Sequence, residues 1–354
     1  MIIREDIDWP NMSNDEKISA LLSVAEDYSR HFVESEALRR SVWDKYGFKV
    51  TAIKCSDSRP NLTKYAKLYE GEVYPIRAIG AKFDAGVPHF NDKLSSLIEW
   101  SINGSMRGHL IVVTAHFSRS TAHLCCAGFK NNTDAAEKAM IALRDQLWRM
   151  YRKWRNVVVV PIIMETDREE IILVGDNGER LSASECAEKK LNIRKKLRDM
   201  FPLIPEEFRE YFRKRLIFRN FAHLEEVSAN PPFAIALDHH EFMLGYGDGF
   251  MWTPGHRCLI INYFDLRPKP FFTGCDVIES VIKSGKNNGG WILNPSATYG
   301  RPEDIDRAIE QVRFLYRKAI KRIRENRRHL LESMAVLPTI VNRKTMKVEI
   351  IEVK

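Results

Sequence analysis

Two proline-bearing apolar hairpins, about 180 residues apart, constrain this chain more than any other feature. The first is Val157-Val158-Val159-Val160-Pro161-Ile162-Ile163-Met164, returning through Glu170-Ile171-Ile172-Leu173-Val174. The second is Leu337-Pro338-Thr339-Ile340-Val341, returning over residues 347–351. Short apolar runs of this kind read as buried strands. Pairing Pro161 with Pro338 and working backwards brings further pairs into line. Residues 133–154 match 305–334 as basic helices, and 109–112 match 290–293 as strands. Residues 90–97 match 272–279, 74–79 match 257–261, and 49–55 match 233–238. A steady offset with matching element order indicates an internal repeat. Strands alternating with helices predict an α/β fold whose mostly parallel sheets are flanked by helices. The halves are expected at residues 1–185 and 186–354. Each is led by a charged helical stretch, residues 15–46 and 187–221.

Composition narrows the class. The 354 residues suffice for two domains, and 44% hydrophobic with 29% charged residues is an ordinary globular balance. No apolar run approaches the ~20 residues a membrane helix needs. The acidic N-terminus lacks the apolar core of a signal peptide. Six cysteines without a Cys-x-x-Cys pair suit a reducing compartment, so a cytoplasmic location is expected. The net charge of +8 concentrates at 149–155, 194–198 and above all 313–328. In that last stretch apolar residues recur at helical spacing between the basic ones. It reads first as the solvated face of a packed helix, and second as a surface for nucleic acid or another acidic partner. No nucleic-acid fold signature accompanies it.

The chemistry concentrates at Cys55-Ser56-Asp57-Ser58-Arg59, directly after the apolar run Phe48-Lys49-Val50-Thr51-Ala52-Ile53. Ligands of open α/β sheets bind at the C-terminal ends of strands. An Arg two residues from an Asp can hold it ionised, and a helix cap is the plainer reading of the same residues. Downstream come a short strand running into Arg77-Ala78-Ile79-Gly80, a helix over 94–102, and an apolar strand ending Ala115-His116-Phe117-Ser118-Arg119-Ser120. This order resembles the β-class carbonic anhydrases over roughly residues 14–181. Their strands end in Cys-x-Asp-x-Arg, then Arg-Asn-Ala-Gly, then Gly-His-x-x-Cys-Gly.

The resemblance implies a zinc site with Cys55 and His116 as ligands. Asp57 and Arg59 would be the catalytic pair, and Arg119, Arg77 and Gly80 would contact carbon dioxide, bicarbonate or a similar anion. The family's third ligand, a Cys three residues after the His, is here Arg119. A guanidinium has no lone pair to offer a metal. Asp57 is the nearest replacement, His123 fits poorly, and Cys125 and Cys126 read as core thiols. Two readings stay open: a zinc-dependent hydratase, or a zinc-free relative that binds a small anion or serves as a scaffold. Arg119 in the second case would turn inward and pair with Asp57. A fused duplicate would make the chain its own pseudo-dimer, and assembly into a homo-oligomer is left open. The second half would lack the site, with Asp238 at the place of Cys55. The cluster Asp238-His239-His240-Glu241, with His256 nearby, has no zinc spacing. It reads as a decayed loop or as residues bordering the first site. Gly245-Tyr246-Gly247-Asp248-Gly249 reads as a flexible turn.

Overall fold

The computed structural model describes residues 9–57, 59–84, 86–104, 106–121, 124–154, 156–229, 239–249, 257–262, 268–288 and 290–353. The strand expected over 233–238, with Asp238, His123 and His256, lies outside the described residues. The chain forms two compact units, each an α/β sheet flanked by helices.

One unit holds residues Ser35–Cys55 and the described residues from Pro60 to Ala229. Its sheet has the order β2-β1-β3-β4-β5-β6. The strands are β1 (Phe48–Cys55), β2 (Val73–Ala78), β3 (Gly108–Phe117), β4 (Val157–Glu165), β5 (Glu170–Val174) and β6 (Arg180–Ser182). The first four are parallel, and β5 and β6 are antiparallel. β1 and β4 are buried at every position. That is why they read as continuous apolar runs rather than alternating ones. Helix α1 (Asn14–Glu34) precedes α2 (Glu36–Tyr46), and α3 (Leu62–Tyr65) follows β1. Helix α4 (Pro88–Asn103) joins β2 to β3 and starts on a proline, whose missing N–H costs nothing there. Helix α5 (Thr133–Tyr151) joins β3 to β4 and is capped by the Asn132 side chain on the Ala135 N–H.

The remaining helices of this unit come from beyond residue 185: α6 (Ala183–Glu188), α7 (Ile193–Met200), α8 (Glu206–Tyr211), a π-helical turn (Phe212–Ile217) and α9 (Phe218–Ala229). Phe201, Phe208, Tyr211, Phe212 and Leu216 share one core with Phe48, Val50, Leu110 and Val160. Phe208 stacks on Phe48 with ring centroids 4.1 Å apart. Arg215 and Tyr211 close on the buried Glu72 carboxylate. The helical stretch expected to lead the second half therefore completes the core of the first.

The other unit holds the described residues up to Glu34, Ser56–Arg59, and those from His239 onward. Its sheet has the order β12-β11-β9-β7-β8, with β10 also on β9. The strands are β7 (Met243–Gly247), β8 (Cys258–Ile261), β9 (Trp291–Tyr299), β10 (Met334–Val336), β11 (Thr339–Asn342) and β12 (Val348–Ile350). All are parallel except β12. Helices α10 (Pro268–Lys283) and α11 (Ile305–Asn326) flank it. α11 buries Val312, Leu315, Ala319 and Ile323 together with Arg322, which donates to the Tyr246 hydroxyl (3.2 Å), and exposes Arg317, Lys321 and Arg324, so the stretch is a packed helix with a partly solvated basic face. Helix α1 packs here too: Leu21 and Ala25 join Phe242, Met243 and Ile292 in one core. The compact units thus divide the chain differently, because α1 packs its apolar face on the second sheet, whereas α2 and the helices of residues 183–229 pack in the unit of the first.

The two sheets share one topology. β8-β7-β9-β11-β12 repeats β2-β1-β3-β4-β5 in order and sense. The register makes the correspondence specific. Ile53 and Pro161 both pair with Val113, while Tyr246 pairs with Pro295 and Thr339 with Ser296. Matching Pro161 to Pro338 sets Cys55 against Asp248 and His116 against Thr298. The expected counterpart of Cys55, Asp238, is thus replaced by a residue ten positions later. Gly245–Gly247, expected as a turn, is strand. A Cβ on Gly247 would stand 1.7 Å from the Ser296 carbonyl oxygen, so its glycine reflects close approach to β9.

Lys17 on α1 is fully buried. Its ammonium donates to Asn287 Oδ1 (2.6 Å), Gly290 O (3.2 Å) and Asn288 Oδ1 (3.4 Å). Burial pulls its pKa down to about 8. The folded state therefore binds its proton less tightly than the unfolded chain. Stability should rise with pH between about 8 and the unfolded value of ~10.4, as this penalty disappears. Urea unfolding of wild type and Lys17→Met across that range should differ by this rise. Parallel pH profiles would contradict the assignment.

Candidate metal centre

β1 and β3 are neighbours and parallel, so their C-terminal ends lie at one edge of the sheet. Cys55 closes β1 and His116 is the penultimate residue of β3. A third donor arrives from the segment between β3 and α5. Cys55, His116 and Cys126 form a buried cluster in which one ligand atom from each lies within 4.8 Å of the others. The Cys55 and Cys126 sulfurs are 3.8 Å apart. That separation is far too long for a disulfide. Two sulfurs ~2.3 Å from one tetrahedral zinc stand about 3.8 Å apart, so the donor set fits the ion in both chemistry and spacing. Three protein ligands would leave the fourth position open, as in catalytic zinc sites.

Local structure presents this cysteine rather than its neighbour. The Cys125 sulfur accepts from the Ser118 N–H (3.4 Å) and the Thr133 hydroxyl (3.5 Å). Cys125 is thereby tied to the turn after β3, as expected of a core thiol. Cys126, expected to be another, instead faces Cys55. Its carbonyl accepts from the Phe129 and Asn131 N–H groups, closing the turn behind it. Gly80 holds that turn from the other side. It has φ 68°, and a Cβ there would meet the Phe129 ring at 2.9 Å and the Gly128 Cα at 3.3 Å. Its N–H donates to the Cys55 sulfur at 3.2 Å, a bond that favours the thiolate. Gly80 was expected to contact an anion; its polar contact here is with Cys55.

Asp57 and Arg59 form the expected pair. The Arg59 backbone N–H donates to Asp57 Oδ1 (2.9 Å), and its guanidinium donates to Oδ2 through Nη2 (2.6 Å) and Nε (3.1 Å). Both are buried. The segment that carries them belongs to the β7–β12 unit. Ile260 N–H donates to Ser56 O (3.2 Å), and Asp57 bridges to Leu259. Arg77 is buried in β2 and pairs in register with Lys54.

Arg119 departs from its expected inward pose against Asp57. Its half-exposed guanidinium pairs with Glu170 (3.3 Å) and Glu165 (3.8 Å), and Arg168 joins the same two carboxylates. Glu165 and Glu170 are buried and face each other across β4 and β5. Burial pushes the Glu165 pKa up, so these two carboxylates need nearby cations. That demand explains the arginine three residues after His116. The third donor of the cluster is Cys126, and Asp57, expected in that place, pairs with Arg59. The sequence signal for this is the Cys125-Cys126 pair, nine and ten residues after His116.

At the register position of Cys55 and His116, the second sheet has Asp248 and Thr298. The Asp248 carboxylate accepts from Thr298 N–H (3.0 Å) and its hydroxyl (2.9 Å). A polar pair thus fills the place of the metal donors. Nearby in sequence, His239 and His240 diverge. His240 Nδ1 donates to the Lys286 carbonyl (3.2 Å), whereas His239 approaches Arg59.

No protein-family model matches the chain, and no curated protein matches it. Among solved structures, a match is the β-carbonic anhydrase CafA of the fungal pathogen Aspergillus fumigatus. It is 16% identical with a TM-score of 0.28, over 46% of this chain and 92% of that one. Among the described residues, no helix is long and apolar enough to cross a membrane.

Proposed function

We propose that this chain is a β-carbonic-anhydrase-like zinc protein that reversibly hydrates carbon dioxide to bicarbonate. The observation carrying this reading is the buried Cys55, His116, Cys126 donor set at the ends of adjacent parallel strands. Zinc bound there would act as a Lewis acid, lowering the pKa of a coordinated water towards ~7. Two thiolates would balance the charge of the ion, and the Gly80 N–H would help keep Cys55 ionised. Asp57 lies two residues beyond Cys55. With Arg59 on both of its oxygens, it stays a hydrogen-bond acceptor and favours a nucleophile that presents a proton to it. Arg77, buried on β2, would meet an anionic product. The reading extends to architecture: residues 1–185 and 186–354 are an ancient duplication, and the second copy has lost its donors to Asp248 and Thr298. The zinc-free alternative draws less support, since the charge of Arg119 is already matched by Glu165 and Glu170.

Stopped-flow hydration of carbon dioxide, with metal analysis of the same sample, tests this. The wild type should carry one zinc per chain and be active. Arg119→Ala should keep its zinc, because Arg119 serves the Glu165–Glu170 pair. An inert wild type with full zinc would sink the hydratase reading while leaving the metal site intact.

A further inference from the structure

Arg59 has a partner that the family pattern does not supply. His239 Nε2 lies 3.3 Å from Arg59 Nη2, and His239 Nδ1 lies 2.7 Å from Glu241 Oε1. Glu241 is fully buried, and the His239 side chain is only 20% exposed. All four residues of this chain of contacts belong to one compact unit. A guanidinium only donates, so in the neutral ring the nitrogen facing it must accept. That fixes the tautomer: Nδ1 carries the proton and donates it to Glu241. A buried carboxylate orienting a histidine, which in turn orients another group, is a recurrent positioning device.

The geometry points to His239 and Glu241 as positioning residues that hold Arg59, and through it the Asp57 carboxylate, in a single pose. This rests on the reading of Asp57 as part of a hydratase site. Two contacts of Arg59 bear on this arrangement. Asp57 takes Nε and one hydrogen of Nη2, and the His239 ring meets the other hydrogen of the same Nη2. Without His239 the fork could swing while still touching Asp57 through one oxygen. The Asp57 carboxylate would then keep the Arg59 backbone N–H on Oδ1 but lose part of the hold on Oδ2.

Burial alone would lower the pKa of His239, but the charge and hydrogen bond of Glu241 outweigh it and raise the value above 6.5. Arg59 opposes that rise and Asp57 adds to it. Measurements therefore belong near pH ~9, well above the ordinary histidine range, where the accepting neutral ring prevails. The informative pair is His239→Ala, which removes the acceptor, and His239→Gln, whose amide oxygen can replace Nε2. The activity readout is kcat for carbon dioxide hydration at equal zinc content. His239→Ala should lose about 10–100-fold, as outer-shell partners typically do, and His239→Gln should recover most of it. The second readout needs no activity: rotation about the Arg59 Nε–Cζ bond, followed by carbon-detected NMR. It should be slow in the wild type and His239→Gln, and at least ~10-fold faster in His239→Ala. Equal rotation rates in all three proteins would overturn the proposal. So would equal losses of activity in both variants with zinc retained. If the wild type proves inert, the hydratase reading fails, and the rotation rates still decide whether His239 holds Arg59.

Discussion

Cys126→Ser should remove zinc from the protein and carbon dioxide hydration with it. Outer-shell partners of a metal typically cost 10–100-fold in affinity, and loss of a direct ligand should cost more than the upper end of that range, ~100-fold. Serine is close in volume to cysteine, and its hydroxyl remains protonated at neutral pH, so the fold should survive while the donor is lost. Cys125→Ser is the matched control. The Cys125 sulfur bonds to Ser118 and Thr133, and the substitution should leave zinc stoichiometry unchanged. Metal analysis and a chelator-competition titration on the two variants would separate them. Equal retention in both would exclude Cys126 as a ligand.

Phe208→Ala should destabilise the protein by about 3–5 kcal/mol, the usual cost of emptying a buried aromatic site. Phe208 is 2% exposed and stacks on Phe48 of β1, the strand that ends in Cys55. The expected loss tests the composition of the β1–β6 unit directly. If residues 186–229 formed only the leading arm of the second half, removing Phe208 would leave the first sheet unaffected. Leu203 is 83% exposed on the same segment, and Leu203→Ala should change stability by no more than ~0.5 kcal/mol. Urea unfolding followed by a probe in the first unit would read both. A Phe208→Ala effect as small as that of Leu203→Ala would contradict the packing.

The sheets were legible where burial on both faces wrote a continuous apolar run. β1, β3 and β4 are such strands, and the paired hairpins at Pro161 and Pro338 marked the shared topology. β7 was not legible. Met243-Leu244-Gly245-Tyr246-Gly247 carries Gly247 for close approach to β9 and Gly245 against β8, and glycine-rich segments read as turns. The error shifted the expected counterpart of Cys55 from Asp248 to Asp238. Cys55 and His116 were legible because adjacent strand ends place them together. Cys126 was not, because a loop between β3 and α5 brings it back to the strand ends, and loop paths leave no periodicity in sequence. The arginine at 119 drew attention as a lost ligand. Its partners, Glu165 and Glu170, are adjacent only through the β4–β5 register. The exchange of leading helices was hidden for a similar reason: an apolar stripe such as Leu21 and Ala25 shows that a helix packs, but not on which sheet.

Zinc-edge X-ray absorption on the purified wild type measures the central assignment most directly. The expected spectrum has two sulfurs at ~2.3 Å, one imidazole nitrogen at ~2.0–2.1 Å and one further light atom, at one zinc per chain. A single sulfur with an added carboxylate oxygen would place Asp57 in the site instead of Cys126. A protein that takes up no zinc from a stoichiometric supply would contradict the metal centre altogether.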